Sequence, residues 1–194
     1  MLINDDPKEK MKLILVGNKP PRRAGLSEQI DSFDFVMRVN RMNYLERSGY
    51  RINGLFLEAN TTFKDQYAGG ANKSKIRTAG KILMREQWYS RFQTWSQYLT
   101  PIQYSEIELI DESFAIRETG FKRLTSSILL LGHLLNSEWS KKYRIYITCL
   151  DIEKRAEIMN KDPTWAWHLG AGPVEQEYLL KHLRLHNLIR IDDE

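Results

Sequence analysis

Short apolar runs, each bounded by polar or turn residues, limit what this chain can fold into. Such a run of about four to eight residues is typical of a buried β-strand. Helical patterns separate several of the runs, and strands that alternate with helices predict an α/β fold, a Rossmann-like three-layer sandwich around a mostly parallel sheet. The predicted strands are residues 13–16, 33–39, 54–58, 107–110, 143–150 and 188–191.

The helical patterns differ in strength. In the strongest, from Thr119-Gly120 to residue 135, apolar residues cover most of the surface, so we expect a deeply buried helix opened by Thr119. Pro173 suits the first turn of another helix, which should run to about residue 186. Weaker helical patterns occupy residues 25–30, with Ser27 as N-cap, and residues 81–99, which end before Pro101.

Composition indicates one globular domain over residues 1–194. Apolar residues make up 42% and charged residues 28%, and no apolar run approaches the roughly 18 residues of a membrane-spanning helix. Cys149 is the only cysteine, which excludes an intrachain disulfide and a cysteine-based zinc site, so we expect a cytoplasmic protein. The net charge of +4 is compatible with nucleotides or other anionic partners, but no continuous basic stripe or RNA motif indicates nucleic acid.

Asparagines follow three of the predicted strands. Ligands of open parallel sheets bind beyond the carboxyl ends of the strands, where Gly17-Asn18, Asn40, Asn60 and Asp151 lie. An asparagine amide donates and accepts without carrying charge, which suits a phosphate, a ribose or a base edge. Asparagine is also common in turns because it tolerates left-handed backbone angles. Both interpretations stand for each residue, and three in succession favour a polar ligand cleft.

Two further features suit chemistry on a nucleotide. Thr119-Gly120, at the start of the predicted buried helix, could approach a phosphate through helix N–H groups, or Thr119 could serve only as an N-cap. His168 lies in a predicted loop with Trp165 and Trp167, between a strand and a helix. Imidazole titrates near neutrality, so such a histidine could act as a general base or be an ordinary surface residue.

Three blocks of the chain resemble the CMP-sialic-acid-dependent sialyltransferases, and their pattern is closer to the small bacterial members than to the animal members. Residues 13–43 are similar to the long motif of the family, with Gly17-Asn18, Asp31-Ser-Phe-Asp34 and Arg38-Val-Asn40 at the matching places. Residues 118–152 are similar to the short motif, which starts a buried helix with Thr119-Gly120. His168 and a helix with Glu175 and Glu177 are similar to the very short motif.

The resemblance implies inverting transfer of a sugar from a CMP-activated donor to a hydroxyl of a glycan or glycolipid. It implies no cofactor and no metal, because the leaving group is a phosphate monoester. Asn18 and Asn40 would contact the phosphate and ribose of CMP, and Thr119-Gly120 would approach the cytidine end. Gly17, Arg38 and Asn60 belong to the same predicted donor site. His168 would be the general base.

The chain also departs from the pattern of that family. Glu175 and Glu177 follow His168 after a glycine-rich insertion, whereas the animal members place the glutamate four residues beyond the histidine. Cys149 stands where the strand of the family often ends in glycine. A tyrosine pair for the leaving phosphate is missing, and Trp165 and Trp167 occupy that segment, so we hypothesise that an indole N–H contacts the phosphate.

Several alternatives remain open at this point. The segment 66–105 is predicted to be a lid or helical insertion, and its basic, aromatic part could instead contact the inner face of a membrane. A transferase for another CMP-activated acid, such as CMP-Kdo, and a non-catalytic Rossmann-like nucleotide-binding module are the competing functions. No G-x-G-x-x-G follows the first strand, which argues against a dinucleotide dehydrogenase. The sequence gives no indication of the oligomeric state.

Overall fold

A computed structural model describes residues 9–42, 44–58, 73–91 and 97–192 of the chain. Within these ranges one sheet of parallel strands forms the centre of the molecule, as the sequence predicts. Its strands are β1 (Met11–Val16), β2 (Phe35–Val39), β3 (Gly54–Leu57), β4 (Lys81–Met84), β5 (Glu108–Leu109), β6 (Tyr143–Thr148) and β7 (Ile189–Arg190).

The order of the strands creates one switch point. The chain adds strands outward from β1 to β5 and then returns, so that β6 pairs with the free side of β1 and the order is β5-β4-β3-β2-β1-β6-β7. Every recorded strand pair is parallel, including Leu13 with Phe35 and Leu13 with Ile145 on the two sides of β1. Connections that leave neighbouring strands in opposite directions open a crevice at their carboxyl ends. Here that crevice lies beyond β1 and β6.

Helices connect the strands and cover both faces of the sheet. The longest helix among the described residues is the C-terminal one, which contains Pro173 in its first turn as the sequence predicts. The helices among the described residues are α1 (Leu26–Asp31), α2 (Leu45–Ser48), α3 (Lys73–Ile76), α4 (Glu86–Arg91), α5 (Pro101–Ser105), α6 (Ser113–Thr119), α7 (Ser126–Asn136), α8 (Glu138–Lys142), α9 (Arg155–Lys161) and α10 (Ala171–Arg184).

Alternate residues of β1 face two different cores. Leu13 and Leu15 pack in one cluster with the leucines of α7 and with residues of α10, whereas Ile14 and Val16 pack with residues of α1. All four side chains are buried because a central parallel strand is covered on both faces. The layers are therefore helix, sheet and helix, which confirms the predicted sandwich.

Helix α7 is the buried helix that the leucine-rich segment predicts, but it starts later than expected. Ile128, Leu129, Leu130 and Leu131 are fully buried. Thr119 is the last residue of α6, and Gly120 follows it with a φ of 68°. Because a glycine in this left-handed conformation ends a helix, the prediction that Thr119-Gly120 opens α7 is wrong. The N-cap of α7 is Thr125.

Residues 81–84 form a strand, so the prediction that a helical segment starts at Lys81 is wrong. Ile82, Leu83 and Met84 are buried on a strand between β3 and β5. The side chains of these three residues pack on both faces of the sheet. In the sequence, the helical spacing of the aromatic residues that follow obscures this strand. This part of the predicted lid at 66–105 belongs to the sheet, and residues 59–72 and 92–96 lie outside the described ranges. Among the described helices, none is long and apolar enough to cross a membrane.

A carboxylate on β5 binds the edge of the sheet to the helical layer. Glu108 Oε1 accepts hydrogen bonds from His133 Nε2 at 3.0 Å and Trp139 Nε1 at 2.7 Å, and its Oε2 lies 2.8 Å from Lys81 Nζ. Burial alone would raise the pKa of Glu108, but the hydrogen bonds from His133, Lys81 and Trp139 outweigh it and hold the pKa at about 2. The ionised form is therefore stabilised by folding.

This arrangement predicts a specific loss of stability in acid. Because the folded pKa lies below the ordinary value of 4.5, the contribution of Glu108 is complete above that value and disappears as the pH falls toward 2. Glu108→Gln should therefore reduce the difference in the free energy of unfolding between about pH 6 and about pH 3, measured by urea denaturation. The exposed Glu138, changed to Gln, is the matched control and should leave that difference unchanged. An equal effect of the two variants would contradict the assignment.

Candidate functional site

The ends of β1 and β6 approach each other closely at Gly17. The N–H of Gly17 donates to the carbonyl oxygen of Thr148 at 2.9 Å, and the N–H of Lys19 donates to that of Cys149 at 3.0 Å. A Cβ atom at position 17 would lie 2.2 Å from the carbonyl oxygen of Cys149. Gly17 is therefore required for the approach of two backbones, and this contact forms the floor of the crevice.

Unusual backbone angles flank this point on both sides. Asn40, directly after β2, has a φ of 48°, and Cys149, directly after β6, has a φ of 56°. Residues other than glycine pay about 1–2 kcal/mol for this left-handed region, and such strain is concentrated at ligand sites in many proteins. Glycine adopts this region without strain, so it would also suit position 149.

Asn18 and Asn40 connect the strand ends to one another. The side-chain amide of Asn18, with its nitrogen toward β2, donates to the carbonyl oxygens of Val39 at 3.2 Å and Arg41 at 3.0 Å. Asn40 Oδ1 accepts from the N–H of Glu58 at 3.3 Å, beyond β3. Asn18 is exposed, whereas Asn40 is only 6% exposed. Both predicted residues thus lie at the carboxyl edge, and both have structural partners there; Asn60 lies outside the described residues.

Arg38 does not line an open site, so the prediction that it binds substrate is wrong for this structure. It is 2% exposed and donates to the carbonyl oxygens of Ser48, Gly49 and Arg51 at 2.9, 2.6 and 3.0 Å. Burial lowers the pKa of its guanidinium to about 10, while Asp31 opposes part of that shift. The side chain holds the connection between α2 and β3 in place.

The acidic residues of the first motif block have a similar task. Asp31 accepts hydrogen bonds from the backbone N–H groups of Tyr50 at 2.9 Å and Arg51 at 3.0 Å. Asp34 Oδ2 accepts from the N–H of Lys12, at the start of β1, at 2.7 Å. These contacts fix loops at the other end of the strands, so they shape the fold away from the crevice.

His168 ends a short 3₁₀ helix, Pro163–His168, which follows α9. The sequence predicts a loop between a strand and a helix here, and the structure has α9 and this 3₁₀ helix within that connection. His168 Nδ1 donates to the carbonyl oxygen of Arg123 at 2.8 Å, and this bond leaves Nε2 of the neutral ring as a proton acceptor. Within the described ranges, no hydrogen bond to Nε2 is recorded.

Two tryptophans lie in the same 3₁₀ helix as His168. The ring of Trp165 lies 5.9 Å from the imidazole, centroid to centroid. Trp167 is 72% exposed, and the guanidinium of Arg123 lies 5.5 Å from its ring centroid. An exposed indole paired with a cation is a surface on which a sugar or a base could stack.

A buried polar network supports the backbone that holds His168. Glu175, on α10, is fully buried, and its carboxylate accepts from Arg155 Nε at 2.7 Å and from Thr125 Oγ1 at 3.0 Å. Its other oxygen accepts from the N–H of Thr125, at the start of α7. Arg155 and Thr125 are 5% and 3% exposed. No local sequence pattern predicts this network, because its members lie on separate helices or at their ends.

The same network reaches the switch point. Arg155 Nη1 donates to the carbonyl oxygen of Asp151 at 3.3 Å, and Asp151 Oδ1 lies 3.9 Å from Lys19 Nζ. Lys19 follows Gly17-Asn18 along the chain. A continuous series of contacts therefore connects the end of β1, through Asp151, Arg155 and Thr125, to the segment of Arg123 and His168. The crevice and the segment that holds His168 are thus connected through the buried polar network.

Thr119 and Gly120 take no part in a phosphate-binding helix start. Thr119 Oγ1 donates to the carbonyl oxygen of Ala115 at 2.7 Å and accepts from the N–H of Phe121 at 3.2 Å. Thr119 also lines a cavity of about 380 Å³ between α6 and α10, together with Tyr178 and Lys181. Because Gly120 lies at the end of α6, the prediction that this pair starts a phosphate-binding helix is wrong.

The described part of the chain contains no group of three or more histidine, cysteine or acidic side chains placed to hold a metal ion. No protein-family model matches the chain, and the search of curated proteins returns no significant match.

The close approach at Gly17 predicts a large cost for one added methyl group. Gly17→Ala places a Cβ against backbone, so the free energy of unfolding should fall by about 2–3 kcal/mol in urea denaturation. Gly120→Ala is the control: its φ of 68° is strained for alanine, but nothing lies within 4 Å of the added Cβ, so we expect about 1 kcal/mol. Equal losses in the free energy of unfolding for the two variants would show that the close approach of β1 and β6 does not cause the loss at position 17.

The buried carboxylate predicts a second stability difference. Glu175→Gln leaves the buried guanidinium of Arg155 without its countercharge, which should cost about 3 kcal/mol or more by urea denaturation. Glu177→Gln, two residues along the same helix and exposed, should stay within about 0.5 kcal/mol of the parent protein. A small loss for Glu175→Gln would show that the network contributes little to stability.

Proposed function

We propose that this protein is a glycosyltransferase, a metal-independent inverting sialyltransferase that moves a sugar from a CMP-activated donor to a hydroxyl of a glycan or glycolipid. The observation that carries the proposal is the series of contacts from the end of β1 to Arg123, whose carbonyl oxygen accepts the Nδ1 proton of His168. This series of contacts connects the candidate base to a crevice of the kind in which open parallel sheets bind nucleotides. The resemblance of the three sequence blocks supports the same reaction.

The donor would bind beyond β1 and β6. In this proposal, Gly17 permits the close contact of the two strand ends, and Asn18, exposed beside it, offers neutral hydrogen bonds to the nucleotide. Lys19, whose side chain is 18% exposed, adds positive charge near the leaving phosphate. A phosphate monoester leaves as CMP without the charge of a diphosphate, so the proposal needs no metal ion. Asn40 acts mainly through the strand ends that it joins.

The base would be Nε2 of His168. As the acceptor oxygen attacks the anomeric carbon, its proton passes to Nε2, and the bond from that carbon to the phosphate oxygen breaks with its electron pair leaving on CMP. Attack opposite the leaving group inverts the anomeric centre. The hydrogen bond from Nδ1 to Arg123 keeps the ring in the tautomer that this step requires.

Trp165 and Trp167 would complete the site near the base. Trp167 offers an exposed ring for the acceptor sugar, and an indole N–H of either residue could donate to the leaving phosphate, as the missing tyrosine pair suggests. We propose the cytoplasm as the compartment, because a chain with one cysteine does not depend on an oxidising environment.

The test combines nucleotide binding with turnover of a CMP-activated sugar. Isothermal titration should show binding of CMP in preference to UMP, AMP and NAD without added metal. Release of CMP from CMP-sialic acid with a glycan acceptor should fall about 100-fold or more in His168→Ala, while the affinity for CMP stays the same, because a general base acts in the chemical step.

His186→Asn is the matched control for that variant. His186 is exposed near the end of α10 with a φ of 56°, an angle that asparagine tolerates, so turnover should not change. The double variant Trp165→Phe and Trp167→Phe should release CMP more slowly if an indole contacts the phosphate. CMP binding with no turnover of any CMP-activated sugar would favour the non-catalytic module, and equal binding of all four nucleotides would sink the donor assignment.

A further inference from the structure

A polar cavity of about 280 Å³ lies between the loop after β1 and the helix α2. This cavity, the arginine pocket, is formed by the segment Pro21-Arg-Arg-Ala-Gly25, the start of α1 and two residues of α2. Three of its lining residues are arginines: Arg22, Arg23 and Arg47. A liquid water molecule takes about 30 Å³, so the arginine pocket has room for a small anion with some of its water.

None of the three arginines forms an ion pair with a described carboxylate. Within the described residues, no ion pair is recorded for Arg22, Arg23 or Arg47, and no side-chain hydrogen bond for Arg22 or Arg47. Arg23 donates one hydrogen bond, from Nη2 to the side-chain oxygen of Gln29, and its Nε is buried without a partner. The recorded partner of its guanidinium is thus a neutral amide.

Two arginines elsewhere in the chain do form ion pairs with carboxylates. Arg85 contacts the carboxylates of Glu112 at 2.6 Å and Glu58 at 3.4 Å, and Arg155 contacts Glu175 at 2.6 Å. These residues stabilise the fold. Three neighbouring guanidinium groups without ion pairs repel one another, which is unfavourable unless an anion joins them.

We propose that the arginine pocket binds a phosphate group, presented as a phosphate monoester. A guanidinium offers parallel N–H donors that match two oxygens of a phosphate, and three of them can surround a tetrahedral anion. Arg22 and Arg47 reach the pocket from two different elements, so the anion would also join the loop after β1 to α2. This site gives a role to Arg22 and Arg23, which the proposed donor site does not use.

Two glutamates in the lining limit what can bind. Glu28 and Glu46 also border the pocket, and Glu28 accepts a hydrogen bond from Ser27 Oγ at 3.0 Å. Their charges oppose an anion but leave an excess of one positive charge in the lining. A phosphate that bears a proton can donate it to one of these carboxylates, and a phosphate ester can turn its neutral side toward them. A fully ionised small anion can do neither.

The site does not depend on the proposed transferase activity. The phosphate could be that of the CMP donor, since the loop after β1 begins at the switch point, or it could belong to a separate phosphorylated ligand. Both sources share the same chemistry, and competition between inorganic phosphate and CMP distinguishes them.

The test is a titration of the full chain with inorganic phosphate, followed by the ¹H–¹⁵N shifts of backbone amides at constant ionic strength. We expect saturable shifts at residues 22–28 and 46–47. The double variant Arg22→Gln and Arg47→Gln should bind phosphate about tenfold or more weakly, because charge-assisted hydrogen bonds are lost. Arg144→Gln, an exposed arginine on β6, should bind as the parent protein does.

Competition with CMP distinguishes the two possible sources of the phosphate. Displacement of phosphate by CMP would identify the arginine pocket as part of the donor site, and simultaneous binding would identify a second ligand site; either supports phosphate recognition here. The variant Arg22→Lys and Arg47→Lys, which keeps the charge but loses the planar fork, should be intermediate and guards against a folding defect. Absence of saturable shifts at these amides, or equal affinity of the Gln and Arg144→Gln variants, would overturn the proposal, even if CMP binds elsewhere.

Discussion

The contact between the ends of β1 and β6 is the constraint on which the rest of the molecule depends. β6 returns across the whole sheet to pair with β1, and the absence of a side chain at Gly17 lets the two backbones continue side by side beyond the last paired residues. Left-handed backbone angles follow directly after both strands that pair with β1, at Asn40 and Cys149. The shape of the crevice is therefore a result of backbone packing, before any functional side chain is considered.

Polar residues at the carboxyl edge of the sheet have two structural roles. Asn18 and Asn40 connect neighbouring strand ends, and Glu175 with Arg155 secures the backbone from which His168 is held. These contacts make the edge rigid, and a rigid edge can present donors and a base at fixed positions with little loss of conformational freedom on binding. A residue of this kind is important for a ligand even where it never touches one.

The sequence predicts the layers and the parallel sheet well, because apolar runs on strands buried on both faces are unmistakable in β1, β2, β3 and β6. It fails at β4, where three buried apolar residues precede an aromatic pattern of helical period, and at Gly120, where a helix end looks like a helix start. Arg38 shows a deeper limit: an arginine within a motif block cannot be distinguished from a ligand contact until its burial is known. The pairing of Glu175 with Thr125 joins residues fifty positions apart and leaves no local pattern.

The order of the strands also has a consequence for synthesis on the ribosome. β1 is made first, yet its pairing with β6, from Met11 with Tyr143 to Val16 with Thr148, needs residues that are made much later. Until then the strand at the centre of the finished sheet has one open hydrogen-bonding edge, flanked by apolar side chains on both faces. That edge stays open to pairing with other strands until residues 143–148 have been made and pair with β1.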